Sequence, residues 1–291
     1  MVRNFHGEFG VKFASQSASQ YTVADSVRLA QLAQAKGFKQ VWVNDNLGQR
    51  NLFVVLSAIA ARVPIKIGTS IIVPYFRNPM DIADSLAALS ELTDGREVSV
   101  GIARGELARA GQQVEMPKPV AIVRETVLAL KALLVGETIS FRHYPVSAAY
   151  HHILPEQEFR LAFAPAAPLR FYCGGHGPRI LKFAGEAMDG VFFGDHLIPM
   201  ARAYRLESIL KISRDSAQAQ TRTLVDVGEI DIAIARDRCR AYDFARPFAA
   251  HVLLRCEEMG FAADDFRAKS RTRGRLISTV PRLSVNRRPL P

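Results

Sequence analysis

The chain has 291 residues, of which 48% are hydrophobic and 23% are charged, and its formal net charge is +10. This length is enough for two average domains or for one (β/α) barrel of about 250 residues. No apolar run approaches the roughly 20 residues that span a bilayer, and the amino terminus lacks the apolar core of a signal peptide. We therefore expect a cytoplasmic protein that does not enter a membrane.

The positive charge is concentrated at the carboxyl terminus. Residues 266–291 contain eight Lys or Arg and no acid, which leaves 30 basic against 28 acidic residues in residues 1–265. The basic segment has neither interleaved aromatic residues nor a recognisable binding module, so we do not expect a nucleic-acid partner. We interpret residues 1–265 as one domain and residues 266–291 as an irregular basic tail.

Apolar periodicity predicts three successive pairs of a strand and a helix in the first part of the chain. We expect strands in residues 9–15, 40–43 and 65–73, and helices in residues 22–36, 52–62 and 80–92. With the next strand, residues 97–102, residues 65–106 make one βαβ unit with a right-handed crossover. The loops that follow these two parallel strands therefore lie at the same edge of the sheet.

The second part of the chain continues the alternation after one interruption. A helix is predicted in residues 120–135, and residues 137–168 then form an irregular insertion, which is typical of a functional excursion or lid. The remaining strands are predicted in residues 169–173, 190–193 and 224–235, and helices in residues 179–186, from about 197 to 211 and in residues 237–259.

Seven strands that alternate with helices predict an α/β fold with a parallel sheet covered on its outside. A closed (β/α)8 TIM barrel fits better than an open sheet, because no GxGxxG opens a helix after the first strand. The eighth βα unit is doubtful or missing. Either residues 276–280 supply a poor last strand, or the chain is altered relative to a full barrel.

Polar and glycine-rich residues follow strand after strand. In a barrel these positions share the face at which ligands bind, so together they predict a site. They are Asp45, Ser70, Arg104, Gly105, Glu106, the run Gly174-Gly175-His176-Gly177, and Asp195 with His196.

The individual motifs leave alternatives open. The run from Gly174 to Gly177 suits a phosphate cradle at a helix start, but it equally suits a plain helix-starting turn before Pro178. Asp45 and Glu106 suit proton transfer if they are partly buried, although carboxylates after strands also cap helices. The histidines of the insertion lack ligand spacing, and we expect them in a solvated loop. Three distant cysteines, Cys173, Cys239 and Cys256, predict buried thiols and no metal site.

Several motifs together resemble one family, the bacterial luciferase-like monooxygenase superfamily, and within it the branch of methylenetetrahydromethanopterin reductase and other deazaflavin-dependent reductases. The resemblance covers roughly residues 8–260. It is carried by Gly68-Thr69-Ser70, Pro74-Tyr75-x-Arg77-x-Pro79, the strand end from Gly101 to Glu106, and the stretch from Gly177-Pro178-Arg179 to Asp189-Gly190.

This resemblance implies a TIM barrel that binds coenzyme F420 or FMN at the strand ends and transfers a hydride to or from a small organic substrate. It also implies a homodimer and a non-prolyl cis peptide at Ser70-Ile71, against the cofactor ring. The implied cofactor contacts are Asp45, Ser70, Ile71, Val73, Arg104, Gly105 and Glu106, with the phosphate end held by Gly174, Gly175, His176 and Gly177. Glu106 is the implied proton donor, and Asp45 is the second candidate catalytic residue.

The preferred hypothesis is an F420-dependent oxidoreductase. The alternatives are an FMN-dependent luciferase-like monooxygenase and a barrel subunit that binds without catalysis. The last is motivated by the doubtful eighth unit and the basic tail. Asn46 stands where relatives often have His, which removes one possible acid or base.

Overall fold

The computed structural model describes residues 7–13, 21–105, 115–193, 206–230 and 232–246. These residues fall into two units, one ending at Glu229 and the other made of residues 230 and 232–246. In the second unit, residues 238–246 are helical. The predicted last strand in residues 276–280 lies outside the described residues.

The first unit alternates strands and helices along the chain. Its strands are β1 Gly10–Phe13, β2 Gln40–Val43, β3 Lys66–Ile72, β4 Val98–Ile102, β5 Ile139–Ser140, β6 Glu158–Phe159, β7 Leu169–Cys173, β8 Gly190–Phe193 and β9 Val225–Gly228. Its helices are α1 Val23–Ala35, α2 Leu52–Ala60, α3 Pro79–Glu91, α4 Pro119–Leu134, α5 Pro145–Tyr150, α6 Pro178–Ala187 and α7 Leu206–Ala219, with a 3₁₀ turn at Phe141–His143.

Side-chain caps determine where the first three helices begin. Thr22 and Asp25 form a capping box at α1, in which each side chain bonds the other residue's backbone N–H. The side-chain oxygens of Asn51 and Asn78 accept from backbone N–H groups in the first turns of α2 and α3. These polar residues stand directly before apolar runs, which is why the sequence predicted the helix starts closely.

Seven of the strands form one parallel sheet in the order β1-β2-β3-β4-β7-β8-β9. The predicted parallel sheet of seven strands is therefore confirmed. Its outer face carries β-branched and aliphatic residues such as Ile67, Val98 and Val191, all fully buried in the main apolar core with the covering helices. Burying this apolar face against the helices supplies the main driving force for the layered arrangement.

The inner face of the sheet holds an aromatic cluster of Trp42, Tyr172 and Phe192. The rings of Trp42 on β2 and Phe192 on β8 are 5.1 Å apart, centroid to centroid, and cross at 79°. In a flat sheet, strands four positions apart would be separated by about 19 Å. The sheet therefore curls around its own side chains, as in a TIM barrel.

Glycines make room for these rings. A β-carbon at Gly68 would lie 2.4 Å from Trp42 Cε3, and one at Gly190 would lie 2.6 Å from Tyr172 Cδ1. Both distances are shorter than a carbon–carbon contact permits. The aromatic cluster and the glycines opposite it therefore act as complementary halves of one core.

The insertion is more ordered than predicted. Within residues 137–168, β5 and β6 form an antiparallel pair, with Ile139 opposite Phe159, and α5 lies between them. The prediction of an irregular segment is therefore wrong in part. Strands of two residues and a helix of six are too short to produce a recognisable period.

Two boundaries near the end of the sheet also differ from the prediction. Helix α7 ends at Ala219 rather than near residue 211. The prediction ended too early because small residues form the contact face of this part of the helix. A β-carbon at Gly185 would lie 2.3 Å from the Ser213 carbonyl oxygen, so α6 and α7 approach closely there without large apolar side chains. Strand β9 is shorter than the predicted residues 224–235.

Gly68→Ala tests the fit between the glycines and the aromatic cluster. We expect it to lower the free energy of unfolding by about 1–3 kcal/mol, the usual cost of overpacking a core. The measurement is urea denaturation followed by circular dichroism. In a Trp42→Leu background the same change should cost less, because the ring it meets has gone. Equal costs in both backgrounds would contradict the proposed fit.

Candidate active site at the carboxyl ends of the strands

Three loops that follow neighbouring strands meet at one edge of the sheet. A β-carbon at Gly105, after β4, would lie 2.7 Å from Val73 Cγ2, after β3. A β-carbon at Gly174, after β7, would lie 3.0 Å from both Ile71 Cγ2 and Ala103 Cβ. The structure thus brings together the predicted residues on these loops, and it does so through close backbone approach at glycines.

Asp45 joins the loop after β2 to the loop after β3. Its Oδ2 accepts from the backbone N–H of Val73 at 3.2 Å and from Arg77 at 2.5 Å. The side chains of Asp45 and Arg77 are only 3% and 13% exposed, and the Arg77 guanidinium lies over the ring of Phe53. Asp45 is therefore part of a buried ion pair, and its roles in catalysis and cofactor contact remain predictions.

The peptide bond between Ser70 and Ile71 is cis, as the resemblance implied. Within the described strands, Ser70 and Ile71 have no ladder partner in β2 or β4, because the register shifts between Thr69 and Ile72. Ile71 is half-buried and packs against both the aromatic cluster and a second cluster that contains Val73. We call Ser70 and Ile71 the β3 bulge.

The segment after β4 carries Arg104 and Gly105. Gly105 has a φ of +78°, and its close contact with Val73 leaves no space for a side chain. Both the backbone conformation and the packing therefore require glycine. Arg104 is exposed. Glu106, the predicted proton donor, lies outside the described residues, as do Asp195 and His196.

The glycine run after β7 leads into α6. Gly177 is the N-cap residue, and in this described segment no side chain caps the helix. The backbone N–H of Gly175 donates to the sulfur of Cys173 at 3.4 Å, while Gly174, Gly175 and His176 are half-buried. The helix start is confirmed, whereas phosphate binding at this loop stays a prediction.

The insertion docks on the loop after β3 through aromatic residues. The hydroxyl of Tyr150 donates to the Tyr75 carbonyl oxygen at 3.3 Å, and the two rings meet edge to face. Nε2 of His151 lies 3.0 Å from the Pro74 carbonyl oxygen, which accepts a hydrogen bond from it. The hydroxyl of Tyr75 donates to the Pro117 carbonyl oxygen at 2.9 Å. The insertion therefore contributes directly to the wall beside the site.

These contacts change the titration of the groups involved. Burial, together with the neighbouring Tyr150, raises the pKa of Tyr75 to about 12. Burial lowers the pKa of His151 below its usual value. The prediction of solvated histidines is confirmed for the exposed His143 and His152 but is wrong for His151, because its ring docks against Pro74 in the loop after β3.

Lys12 and Glu229 belong to the site although sequence reasoning missed them. The Ser70 hydroxyl donates to Glu229 Oε1 at 2.6 Å, and Lys12 Nζ lies 2.9 Å from Glu229 Oε2. Lys12 is on β1 and Glu229 directly follows β9, the two edge strands among those described. The sequence shows only a charged residue near the end of β1 and another just after β9. Such residues do not indicate that they pair with each other across 217 positions.

The described residues also bear on metal binding, membrane insertion and the cysteines. Within them, no group of three or more His, Cys, Asp or Glu is placed to hold a metal ion. No helix in the described ranges combines the length and apolarity needed to cross a membrane. The prediction of buried cysteines is confirmed for Cys173 and wrong for Cys239, which is exposed; Cys256 lies outside the described residues.

The model of the luciferase-like monooxygenase family matches residues 8–282. The chain belongs to this family. The resemblance found in the sequence motifs is therefore confirmed, and the curled parallel sheet is the fold expected of a luciferase-like protein.

Relatives of this luciferase-like chain include F420-dependent enzymes. The 5,10-methylenetetrahydromethanopterin reductase of Methanolobus tindarius is 27% identical over 259 residues, covering 86% of this chain and 73% of the relative. The F420-dependent glucose-6-phosphate dehydrogenase of Amycolatopsis mediterranei is 28% identical over 278 residues, covering 86% and 79%.

Solved structures share the luciferase-like fold at lower identity. The coenzyme F420-dependent tetrahydromethanopterin reductase of Methanopyrus kandleri has a TM-score of 0.65 at 19% identity, covering 88% of this chain and 76% of its own. A type II Baeyer–Villiger monooxygenase of Pseudomonas putida, in complex with FMN, has a TM-score of 0.64 at 14% identity, covering 88% and 80%. At these identities the likeness establishes the fold alone.

His151 predicts a specific pH dependence of stability. Because burial lowers its pKa in the folded state, the unfolded chain binds the proton more readily, and stability falls as the pH drops from the unfolded-state value of 6.5 toward the folded-state value. Urea midpoints measured between pH 8 and pH 5.5 should therefore fall less steeply in His151→Gln than in the wild type. His143→Gln, at an exposed position, should keep the wild-type slope. A wild-type slope in His151→Gln would rule out this contribution.

Proposed function

We propose that this luciferase-like protein is an oxidoreductase that transfers a hydride between coenzyme F420 and a small organic substrate. The observation that carries the proposal is the β3 bulge, which lies beside the glycine approaches at Gly105 and Gly174. The F420-dependent relatives favour this cofactor over FMN.

The described residues fit such a cofactor in two respects. The half-buried Ile71 offers an apolar surface for a flat ring, and Gly105 and Gly174 let the neighbouring loops pack closely against Val73, Ile71 and Ala103. At the other end of the cofactor, the amino terminus of α6 offers backbone N–H groups and the positive end of the helix dipole, which suit a phosphate. We assign Gly174, Gly175, His176 and Gly177 to that phosphate end.

When bound, the cofactor supplies the hydride chemistry, and the chain positions it and keeps water away. Ser70, Ile71, Val73, Arg104 and Gly105 are the proposed contacts of the ring and its side chain. The ion pair of Asp45 with Arg77 holds two of the contacting loops together, and removing one partner of a buried pair typically costs about 3–5 kcal/mol. Substitution of Asp45 would therefore disturb the site whatever its part in the chemistry.

Parallel titrations of the purified protein with F420 and with FMN, followed by cofactor fluorescence, test the proposal. We expect tight binding of F420 and weak binding of FMN. Preferential binding of FMN, with oxygen consumption, would replace the proposal with an FMN-dependent monooxygenase. Binding of neither would replace it with a subunit that binds without catalysis.

Glu106 is the proposed proton donor to the substrate. We expect Glu106→Gln to lower turnover at least a hundredfold, the lower end of the usual contribution of general acid–base catalysis, while F420 binding stays within twofold. The measurement is steady-state turnover beside the fluorescence titration. Glu115→Gln, which alters an exposed carboxylate on the same stretch of chain, is the control and should keep wild-type turnover. A fully active Glu106→Gln would remove Glu106 from the mechanism.

A further inference from the structure

The β3 bulge is held by side chains rather than by the sheet. Ser70 and Ile71 have no ladder partner within the described neighbouring strands, so backbone pairing does not fix their position. Side-chain bonds hold the bulge instead, one from Thr69 just before it and one from Ser70 within it. The Thr69 hydroxyl donates to the Gly101 carbonyl oxygen at 2.9 Å, on the adjacent strand β4, and the Ser70 hydroxyl donates to Glu229 at 2.6 Å.

Glu229 reaches Ser70 from the opposite edge of the sheet. Its backbone N–H donates to the Phe193 carbonyl oxygen at 3.0 Å, which anchors the residue to β8. Its two carboxylate oxygens lie 3.0 and 2.9 Å from Lys12 Nζ on β1. Glu229 is therefore fixed by contacts from three strands: β1, β3 and β8.

The electrostatics favour a firmly held Ser70. A serine hydroxyl has one proton to donate, and here Glu229 accepts it, so the Ser70 side chain is held in one orientation. Hydrogen bonds to an ionised acceptor are shorter and roughly twice as strong as neutral ones. Ser70 is only 4% exposed, which limits competition from water for this bond. Ile71 follows directly, so the bond that holds Ser70 also anchors the backbone from which the Ile71 side chain packs against the two clusters.

We propose that Glu229 is a positioning residue that, through Ser70, sets the surface which the β3 bulge presents to the cofactor ring. Lys12 in turn holds the Glu229 carboxylate in place. The inference rests on the proposed function, because it assigns a role toward the cofactor of that same site. It predicts that cofactor affinity depends on a carboxylate carried on the far side of the sheet.

The test is a fluorescence titration with F420 of the wild type and of Glu229→Leu, Glu229→Gln, Ser70→Ala and Glu229→Leu/Ser70→Ala. We expect Glu229→Leu to weaken binding about tenfold, since a hydrogen bond to a charged group is lost. Glu229→Gln should lose less, because its amide oxygen still accepts from Ser70. If Glu229 acts through Ser70, the double variant should bind no more weakly than the weaker single variant.

Glu8→Leu is the matched control. Glu8 and Lys66 form a comparable ion pair, with a separation of 2.9 Å, beside the amino-terminal end of β3. We expect Glu8→Leu to keep the wild-type affinity within twofold, because it removes an ion pair at β3 without removing a bond to Ser70. If Glu229 acted only by stabilising the fold, Glu8→Leu and Glu229→Leu would lose affinity to a similar degree.

The outcomes separate this inference from the proposed function. If the wild type binds F420 and Glu229→Leu and Glu229→Gln both bind within twofold of it, the inference is wrong and the function stands. Additive losses in the double variant would also overturn the inference. If the wild type binds FMN instead, the same variants titrated with FMN decide the inference. If the wild type binds neither, both proposals fall.

Discussion

The architecture depends on how the lumen of the sheet is filled. Trp42, Tyr172 and Phe192 occupy space that glycines on neighbouring strands leave free, and the contact between Trp42 and Phe192 holds together strands that are distant in the sheet order. A curled sheet needs large side chains balanced by positions with none, because a lumen of this size has room for only a few side chains. Without that balance, the strand ends that carry the site would not converge.

Above this apolar core, the site is held by polar bonds between loops. The Asp45–Arg77 pair links the loops after β2 and β3, and Glu229 links β9 to β3 and β1. The glycines at Gly105 and Gly174 serve a different purpose, since they let neighbouring loops approach within contact distance. Polar bonds and close backbone approaches at glycines therefore alternate around this edge of the sheet.

Much of the fold followed from the sequence because its elements are locally determined. Strands β2, β7 and β8 are short, mostly apolar runs next to glycine or polar residues, and their bounds were predicted to the residue. Apolar periodicity located the first helices, and the caps at Thr22, Asn51 and Asn78 in the structure fix where they begin. The short elements of the insertion and the small-residue face of α7 carry too little apolar periodicity to be found in this way.

The site was less predictable because its key contacts join distant parts of the chain. Residue types after strands identified Ser70, Gly105 and Gly174 as members of one edge, since parallel strands end there together. The cis bond at Ser70-Ile71 was expected only from the family resemblance. Neither route led to Glu229 or to the docking of His151, because each depends on a partner that sequence periodicity does not specify.

The pair formed by Lys12 and Glu229 also has a consequence for biosynthesis. The two residues are separated by 217 positions, so a ribosome has made most of the sheet before the second partner exists. Contacts of such large separation form late and slow the folding of a chain, because a long loop must close first. A nascent chain that stops short of β9 therefore has the strands that carry the glycines but not the carboxylate that fixes Ser70. On the role proposed for Glu229, full affinity for the cofactor arises only after β9 and Glu229 have been synthesised.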